Sequence, residues 1–183
     1  MENKVRVRQG DANQILRERL ISNREIDWKK TRAVVFLDPF GLQVPWSTIQ
    51  DLAATHAIEV IINFPMGMAI QRFLECGGDI PPERQAILDE YFGTHDWYSA
   101  VYQIKQDLFD KKLEKVSDAG DRLTKWYRDR LRSAFGYAVT PRLVRNSNDG
   151  HLYYLLWAGP NGVGAKIADH ILKGMSAVLK YKQ

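Results

Sequence analysis

The sequence has few of the residues that build metal centres and disulfides. It contains one cysteine, Cys76, and four histidines in 183 residues. A single cysteine cannot form an internal disulfide, which is typical of a protein from a reducing cytoplasm. The histidines form no HExxH pattern and no cluster with the cysteine, so the sequence predicts no metal site.

Long apolar runs are also missing. No run reaches the ~18–20 residues that a membrane-spanning helix needs, and residues 2–8 are charged, unlike a signal peptide. These absences predict a cytoplasmic protein without a membrane span. The net charge of +4 is mildly basic, which permits an anionic partner without requiring one.

The first third of the chain alternates between strand and helix patterns. Residues 4–8 alternate polar and apolar side chains and predict a strand with one wet face, followed by a turn and a helix. A second strand is predicted over residues 33–38, a helix opens at Pro45, and a third strand covers residues 59–65. This β-α-β-α-β order predicts a parallel sheet with right-handed crossovers.

The second strand leads directly into Asp38 and Pro39. Its apolar, largely β-branched residues predict a strand buried on both faces, hence one that is central in a parallel sheet. Because Pro39 cannot donate to a sheet hydrogen bond, the strand must end there and leave Asp38 at its carboxyl end. Ligands of open α/β sheets bind at that edge, so the pattern predicts a ligand cleft beside Asp38.

The middle of the chain predicts a helical insertion over about residues 66–135. Residues 66–74 favour a short helix, and Pro82 begins another because proline is favoured in a first helical turn. Residues 101–135 favour a long charged helical region, interrupted near residues 117–120.

The chain then returns to strands. Residues 137–145 predict a strand, residues 146–150 carry the Asp-Gly signal of a hairpin turn, and residues 151–158 predict the returning strand. A last helix is predicted over about residues 165–179. An alternating α/β half that ends in a hairpin and a helix is typical of the C-terminal half of a methyltransferase sheet.

Five short segments, in order across nearly the whole chain, carry a family resemblance. They are Gly10–Asn13, Phe36–Leu42, Ile61–Pro65, Tyr153–Ala158 and Gly164–Ile167. In these segments the sequence resembles the three-Cys-motif partner proteins, a family with a class I methyltransferase-like fold. The tetrad from Asp38 to Gly41 also resembles the catalytic loop of methyltransferases that modify exocyclic amines of nucleic-acid bases, although that loop commonly has an aromatic residue in place of Gly41.

The resemblance implies one domain over residues 1–183 with a partial Rossmann-like α/β fold. Its sheet would be mostly parallel, with a C-terminal antiparallel hairpin and a helical insertion. In the strand order 3-2-1-4-5-7-6 of this fold, the first strand here resembles strand 3. The chain would then be a C-terminal portion without the glycine-rich cofactor loop. Since strands 1 and 2 would be missing, residues 4–8 are expected to lie beside residues 33–38.

The resemblance also implies a cofactor, S-adenosylmethionine, and a methyl acceptor, an amine of a nucleic-acid base. Asp11 would contact the adenine amine of the cofactor, or would only cap the next helix, and the two readings have equal weight. Asp38 would orient the acceptor amine for in-line attack, with a carbonyl from Pro39 and stacking from Phe40. The plainer reading of Asp38 is a turn that ends a strand. Asn63 would position the acceptor, or would belong to a structural turn.

A second function class is an interaction protein that docks onto a three-Cys-motif protein and has no catalysis of its own. The missing cofactor loop favours this class for the chain itself. Two further patterns favour structural readings. Residues 159–166 lack the Lys-Ser/Thr pair of a phosphate loop and favour a loop before a helix. Residues 111–132 mix both charge signs, which favours a solvated surface over a phosphate-binding one.

Overall fold

A computed structural model describes residues 5–106 and 111–174. The strands are β1 (Ala33–Leu37), β2 (Ile58–Phe64), β3 (Tyr102–Gln106), β4 (Lys111–Lys115), β5 (Tyr137–Ala138), β6 (Arg142–Arg145) and β7 (His151–Gly159). The helices are α1 (Ala12–Ile15, continued as a π-helix over Leu16–Ile21), α2 (Trp46–Ala54), α3 (Gln71–Phe73, after a π-helical turn over Met66–Ile70), α4 (Pro82–Phe92), α5 (Trp97–Val101), α6 (Ala119–Phe135) and α7 (Gly162–Gly174).

The main sheet is mixed. Its order is β1-β2-β7, and both β5 and β6 pair with the far edge of β7. Only β1 and β2 are parallel to each other, whereas β7 runs antiparallel to β2, β5 and β6. The expectation of a mostly parallel sheet is therefore wrong, while the coarser α/β class is confirmed. The expected hairpin of β6 and β7 is present, but β7 also pairs antiparallel with β2, and the described residues 5–9 form no further parallel strand.

That hairpin turn is confirmed in detail. Asp149 adopts a left-handed backbone with φ of 62°, and the side-chain oxygen of Asn146 accepts hydrogen bonds from the backbone N–H groups of Asn148 and Gly150. Asparagine side chains commonly close turns in this way. The turn thus fixes the register between β6 and β7.

The strand predicted over residues 4–8 is wrong for its described part. Residues 5–9 have no regular secondary structure, and the side chains of Val5 and Val7 are 75% and 87% exposed. Among the described strands, β1 pairs with β2 alone, so the expected pairing with residues 4–8 is also wrong. Two valines between charged residues bury too little apolar area to offset the entropy lost on ordering a strand.

The prediction that β1 is buried on both faces is likewise wrong. β1 lies at the edge of the sheet, and Val34 and Phe36 are 62% and 57% exposed. The opposite face of β1 contacts the core through Ala33, Val35 and the buried Leu37. The last helix leaves Val34 and Phe36 exposed because its buried side chains pack over Val139 and Trp157 instead.

Part of the predicted helical insertion is a β-hairpin. β3 and β4 pair antiparallel and form a separate two-stranded sheet. The prediction of a helical region from residue 101 is therefore wrong for these two strands, which precede α6. Ile104 of β3 pairs with Leu113 of β4 in register. The helix predicted to begin at Pro82 is confirmed, as is the part of the predicted 101–135 helical region that follows the interruption near residues 117–120, where α6 lies.

The final helix, predicted over residues 165–179, begins earlier, at Gly162, and residues 175–179 lie outside the described part of the chain. None of the helices within residues 5–106 and 111–174 has the length and apolarity needed to cross a membrane.

Aromatic side chains from three elements form the centre of the core. Phe64 at the end of β2 stacks on Tyr127 of α6 with ring centroids 4.9 Å apart, and Tyr91 of α4 stacks on the same tyrosine at 5.9 Å. Burial raises the pKa of both Tyr91 and Tyr127. These rings attach α4 and α6 to the end of β2, where the strand leads into the carboxyl edge of the sheet.

Phe64→Ala is expected to lower the free energy of unfolding by about 3–5 kcal/mol, because it removes a fully buried ring from this cluster. Phe40→Ala is the matched control, since Phe40 is fully exposed, and its effect should stay within about 0.5 kcal/mol. Urea denaturation of both variants measures the difference. Equal destabilisation by the two substitutions would contradict this description of the core.

Candidate functional site

A cleft of about 440 Å³ lies at the carboxyl end of β1. Three segments line it: residues 10–13 at the start of α1, residues 36–39 at the end of β1, and residues 43–44 in the following loop. The structure therefore brings Asp11 and Asp38 to one cleft, and this cleft lies at the sheet edge that the sequence predicts.

The register between β1 and β2 places Asp38 beside Asn63. Leu37 pairs with Ile62 in the parallel ladder, so the next residue of each strand continues the pairing. Asn63 Nδ2 donates a hydrogen bond of 2.5 Å to Asp38 Oδ1. Asp38 Oδ2 makes no hydrogen bond with another described residue, and it can accept one from a ligand.

Asn63 also carries a buried acceptor. Its Oδ1 is shielded from solvent and has no hydrogen-bond partner among the described residues. A buried polar atom without a partner costs about 1–3 kcal/mol. Asn63 does not line the cleft, so its amide acts there through Asp38, whose Oδ2 is the acceptor that faces a ligand.

Asp11 caps α1. Its Oδ1 accepts a hydrogen bond of 2.8 Å from the backbone N–H of Gln14, and Gly10 precedes it with a φ of 143°. The capping alternative for Asp11 is thus confirmed. It does not exclude a ligand contact, because a carboxylate has a second oxygen and Asp11 is exposed in the cleft.

Polar contacts hold α1 against the loop and helix that follow β1. Asn13 Nδ2 donates to the Gln43 carbonyl at 2.9 Å, and the hydroxyl of the buried Thr48 donates to Asn13 Oδ1 at 3.1 Å. One turn along, Arg17 forms an ion pair of 2.6 Å with Asp51. Asn13 and Arg17 are four residues apart on α1, and their partners Thr48 and Asp51 are three residues apart on α2. Residues at such a spacing lie on the same face of a helix. The sequence analysis missed these contacts, because spacing within each helix does not show which distant segment the helix meets.

Pro39 and Phe40 are placed differently. Pro39 lines the cleft, whereas Phe40 is fully exposed and does not line it. The stacking role of Phe40 therefore stays a prediction about a bound state.

A smaller polar pocket of about 200 Å³ lies where β2 ends and β7 begins. The Tyr154 hydroxyl donates a hydrogen bond of 2.5 Å to Asp121 within it. Burial, and next this hydrogen bond, raise the pKa of Tyr154. This contact packs β7 on α6.

The two weaker sequence patterns have structural contacts. In the segment before α7, Asn161 Oδ1 accepts a hydrogen bond from the Val163 backbone N–H, as a helix cap does. On α6, Arg122 and Arg128 form ion pairs with the acidic residues Asp118 and Asp129. Both arrangements agree with the structural readings of these segments.

Within the described ranges, no group of three or more histidine, cysteine, aspartate or glutamate side chains is arranged to hold a metal ion. Comparison of the chain with protein-family models, with curated proteins and with solved structures finds no match. The site must therefore be interpreted from its own geometry.

Asn13→Ala is expected to lower the free energy of unfolding by about 1–3 kcal/mol, because two hydrogen bonds are lost and the buried Thr48 hydroxyl is left without its partner. Asn148→Ala is the control, since the side chain of Asn148 is exposed and makes no hydrogen bond with another described residue. Thermal and urea unfolding measure both variants. Indistinguishable stabilities would show that these contacts do not hold α1 in place.

Proposed function

We propose that this chain forms the acceptor side of a class I methyltransferase-like domain, which transfers a methyl group from S-adenosylmethionine to an amine of a nucleic-acid base. The observation that carries the proposal is the meeting of Asp11 and Asp38 in one cleft at the carboxyl edge of the sheet. The family resemblance implies a cofactor contact for Asp11, and the resemblance of the Asp38–Gly41 tetrad to a methyltransferase catalytic loop implies an acceptor contact for Asp38.

The sheet topology supports the same proposal. The order β1-β2-β7-β6, with β7 reversed, corresponds to strands 4-5-7-6 of the methyltransferase sheet. In that sheet, strand 1 carries the glycine-rich cofactor loop and pairs with strand 4. The outer edge of β1, which pairs with none of the described strands, is the corresponding position.

The chemistry of the cleft fits such a ligand. S-adenosylmethionine supplies a methyl group bonded to a positively charged sulfur, and its adenine carries an exocyclic amine. Neither Asp11 nor Asp38 has an ion pair with a described cation, so both carboxylates are available to a cationic, amine-bearing ligand. The cleft volume lies in the range of ~300–1,000 Å³ usual for small-molecule sites.

Asp38 would act on the acceptor amine through its unbonded Oδ2. An N–H of the amine donates to Oδ2, and the carbonyl of Pro39, which also lines the cleft, accepts a second N–H from the same group. Holding both N–H groups leaves the nitrogen lone pair directed away from these oxygens, towards the methyl donor. Asn63 is a positioning residue, because its amide fixes the carboxylate of Asp38.

Asp11→Asn is expected to weaken S-adenosylmethionine binding roughly 10- to 150-fold, the value of a hydrogen bond to a charged group. Asparagine keeps the helix cap, since it is also a strong N-cap residue. It replaces the second carboxylate oxygen with an NH₂ group that cannot accept the adenine amine. Isothermal calorimetry on the full chain measures this, with Asp129→Asn on α6 as the matched control.

Asp38→Asn should leave the affinity for S-adenosylmethionine within about twofold of the wild-type value. It should lower the rate of labelled methyl transfer to oligonucleotides about 100-fold. Unchanged binding by Asp11→Asn would contradict the cofactor assignment, as would the absence of S-adenosylmethionine binding both by the wild-type chain and by a longer version that carries the glycine-rich cofactor loop. Wild-type transfer rates in Asp38→Asn would remove Asp38 from the mechanism.

The second candidate function is a partner protein for a three-Cys-motif protein. A specific observation favours it: β1 and α7 both expose apolar side chains to solvent. We call the surface that these side chains form the outer face. It consists of Val34, Phe36, Val163, Ile167 and Ile171, each of which is 55–63% exposed. Exposed apolar side chains that adjoin an apolar groove, here one of about 340 Å³, are typical of interaction surfaces.

Ile171→Asp is expected to weaken association with a three-Cys-motif protein about 100-fold, because a carboxylate without a partner would be buried in the contact. Ile87→Asp is the control, since Ile87 is a comparably exposed isoleucine on α4, away from the outer face. Analytical ultracentrifugation of the mixed proteins measures the association. Equal effects of the two substitutions would remove the outer face from that contact.

A further inference from the structure

We infer that residues 5–9, here called the arm, bind the phosphates of a single-stranded nucleic acid whose base is presented to the Asp11–Asp38 cleft. The inference deepens the proposed function, on which the role of the base rests. Binding of the phosphates is a separate property that can be measured without cofactor or methyl transfer.

The arm carries unpaired positive charge. Arg6 and Arg8 are both exposed, and neither forms an ion pair with another described residue. Arg122 and Arg128 of α6 differ in this respect, because acidic neighbours neutralise them. Guanidinium groups without an acidic partner are available for phosphate, which they contact with planar paired donors.

The arm also lies at the mouth of the cleft. Gly10 lines the cleft and follows the arm directly, so the Cα atom of Arg8 is at most about 7 Å from that of Gly10. On the other side, Phe40 follows Pro39, which lines the cleft, and its ring is fully exposed to solvent. A cationic segment and an exposed aromatic ring therefore flank one opening.

The charges separate the two parts of such a ligand. The cleft contains Asp11 and Asp38, which repel phosphate and accept hydrogen bonds from the amine of a base. Phosphates are therefore excluded from the cleft and attracted to the arginines outside it. Combined cationic tracks and aromatic platforms are the usual means of binding single strands, because an unpaired base leaves its ring face accessible.

The test is fluorescence anisotropy of a labelled 12-nucleotide single strand, as DNA and as RNA, with the full chain and no cofactor. Arg6→Gln/Arg8→Gln is compared with Lys125→Gln/Arg132→Gln, which removes the same charge from exposed positions of α6. For two lost phosphate contacts, the slope of log Kd against log salt should fall by about 1.4 in the arm variant. It should remain unchanged in the α6 variant.

Phe40→Ala is expected to weaken binding of the single strand roughly 5- to 150-fold without changing the salt slope, as loss of one stacked base does. It should leave binding of inorganic polyphosphate, which has no bases, unchanged. All variants change exposed side chains, so circular dichroism should show an unaltered fold.

Equal salt slopes for the arm and α6 variants would overturn the inference, as would tighter binding of the matching duplex than of the single strand. Arm-dependent binding of the single strand without any methyl transfer would leave the inference standing and count against the proposed function alone. Methyl transfer to a free nucleoside together with arm-independent oligonucleotide binding would overturn the inference about the arm and leave the proposed function standing.

Discussion

The site depends on the parallel register between β1 and β2. Because Leu37 pairs with Ile62, Asp38, which follows β1, is placed against Asn63 near the end of β2. The hydrogen bond between Asn63 and Asp38 is the direct product of that register. A shift by one residue would turn these side chains to opposite faces of the sheet and abolish the site.

The second half of the cleft depends on how α1 is held. Asp11 begins the helix as its cap, and Asn13 and Arg17 attach it to the segment that follows β1. Asp11 is thereby brought to a cleft that Asp38 also lines, although the two residues are distant in the sequence. The aromatic core under β2 supports the other side, since Phe64 follows Asn63 directly and anchors the strand end.

The local patterns predicted the β1–α2–β2 unit, α6, the β6–β7 hairpin and the position of Asp38 at a strand end. These follow from short-range signals such as Pro39, Pro82 and the Asp-Gly turn. The predictions that failed needed long-range information. An apolar run like that of β1 does not reveal whether a neighbouring strand covers both sides, and alternating charged segments such as β3 and β4 resemble a helix surface until their pairing is known.

The candidate site was predictable to a similar degree. Asp38 and Asn63 were identifiable as polar residues near strand ends, and Asp11 as a polar turn residue, although the strand predicted before it does not form. The contacts of Asn13 with Gln43 and Thr48 were not identifiable, because they join segments far apart in sequence.

Hydrogen exchange with and without S-adenosylmethionine tests the central claim most directly. The account predicts slower amide exchange in residues 10–14 and 37–44, around the Asp11–Asp38 cleft. Slower exchange only in the outer face around α7, or no change in any segment, would contradict it.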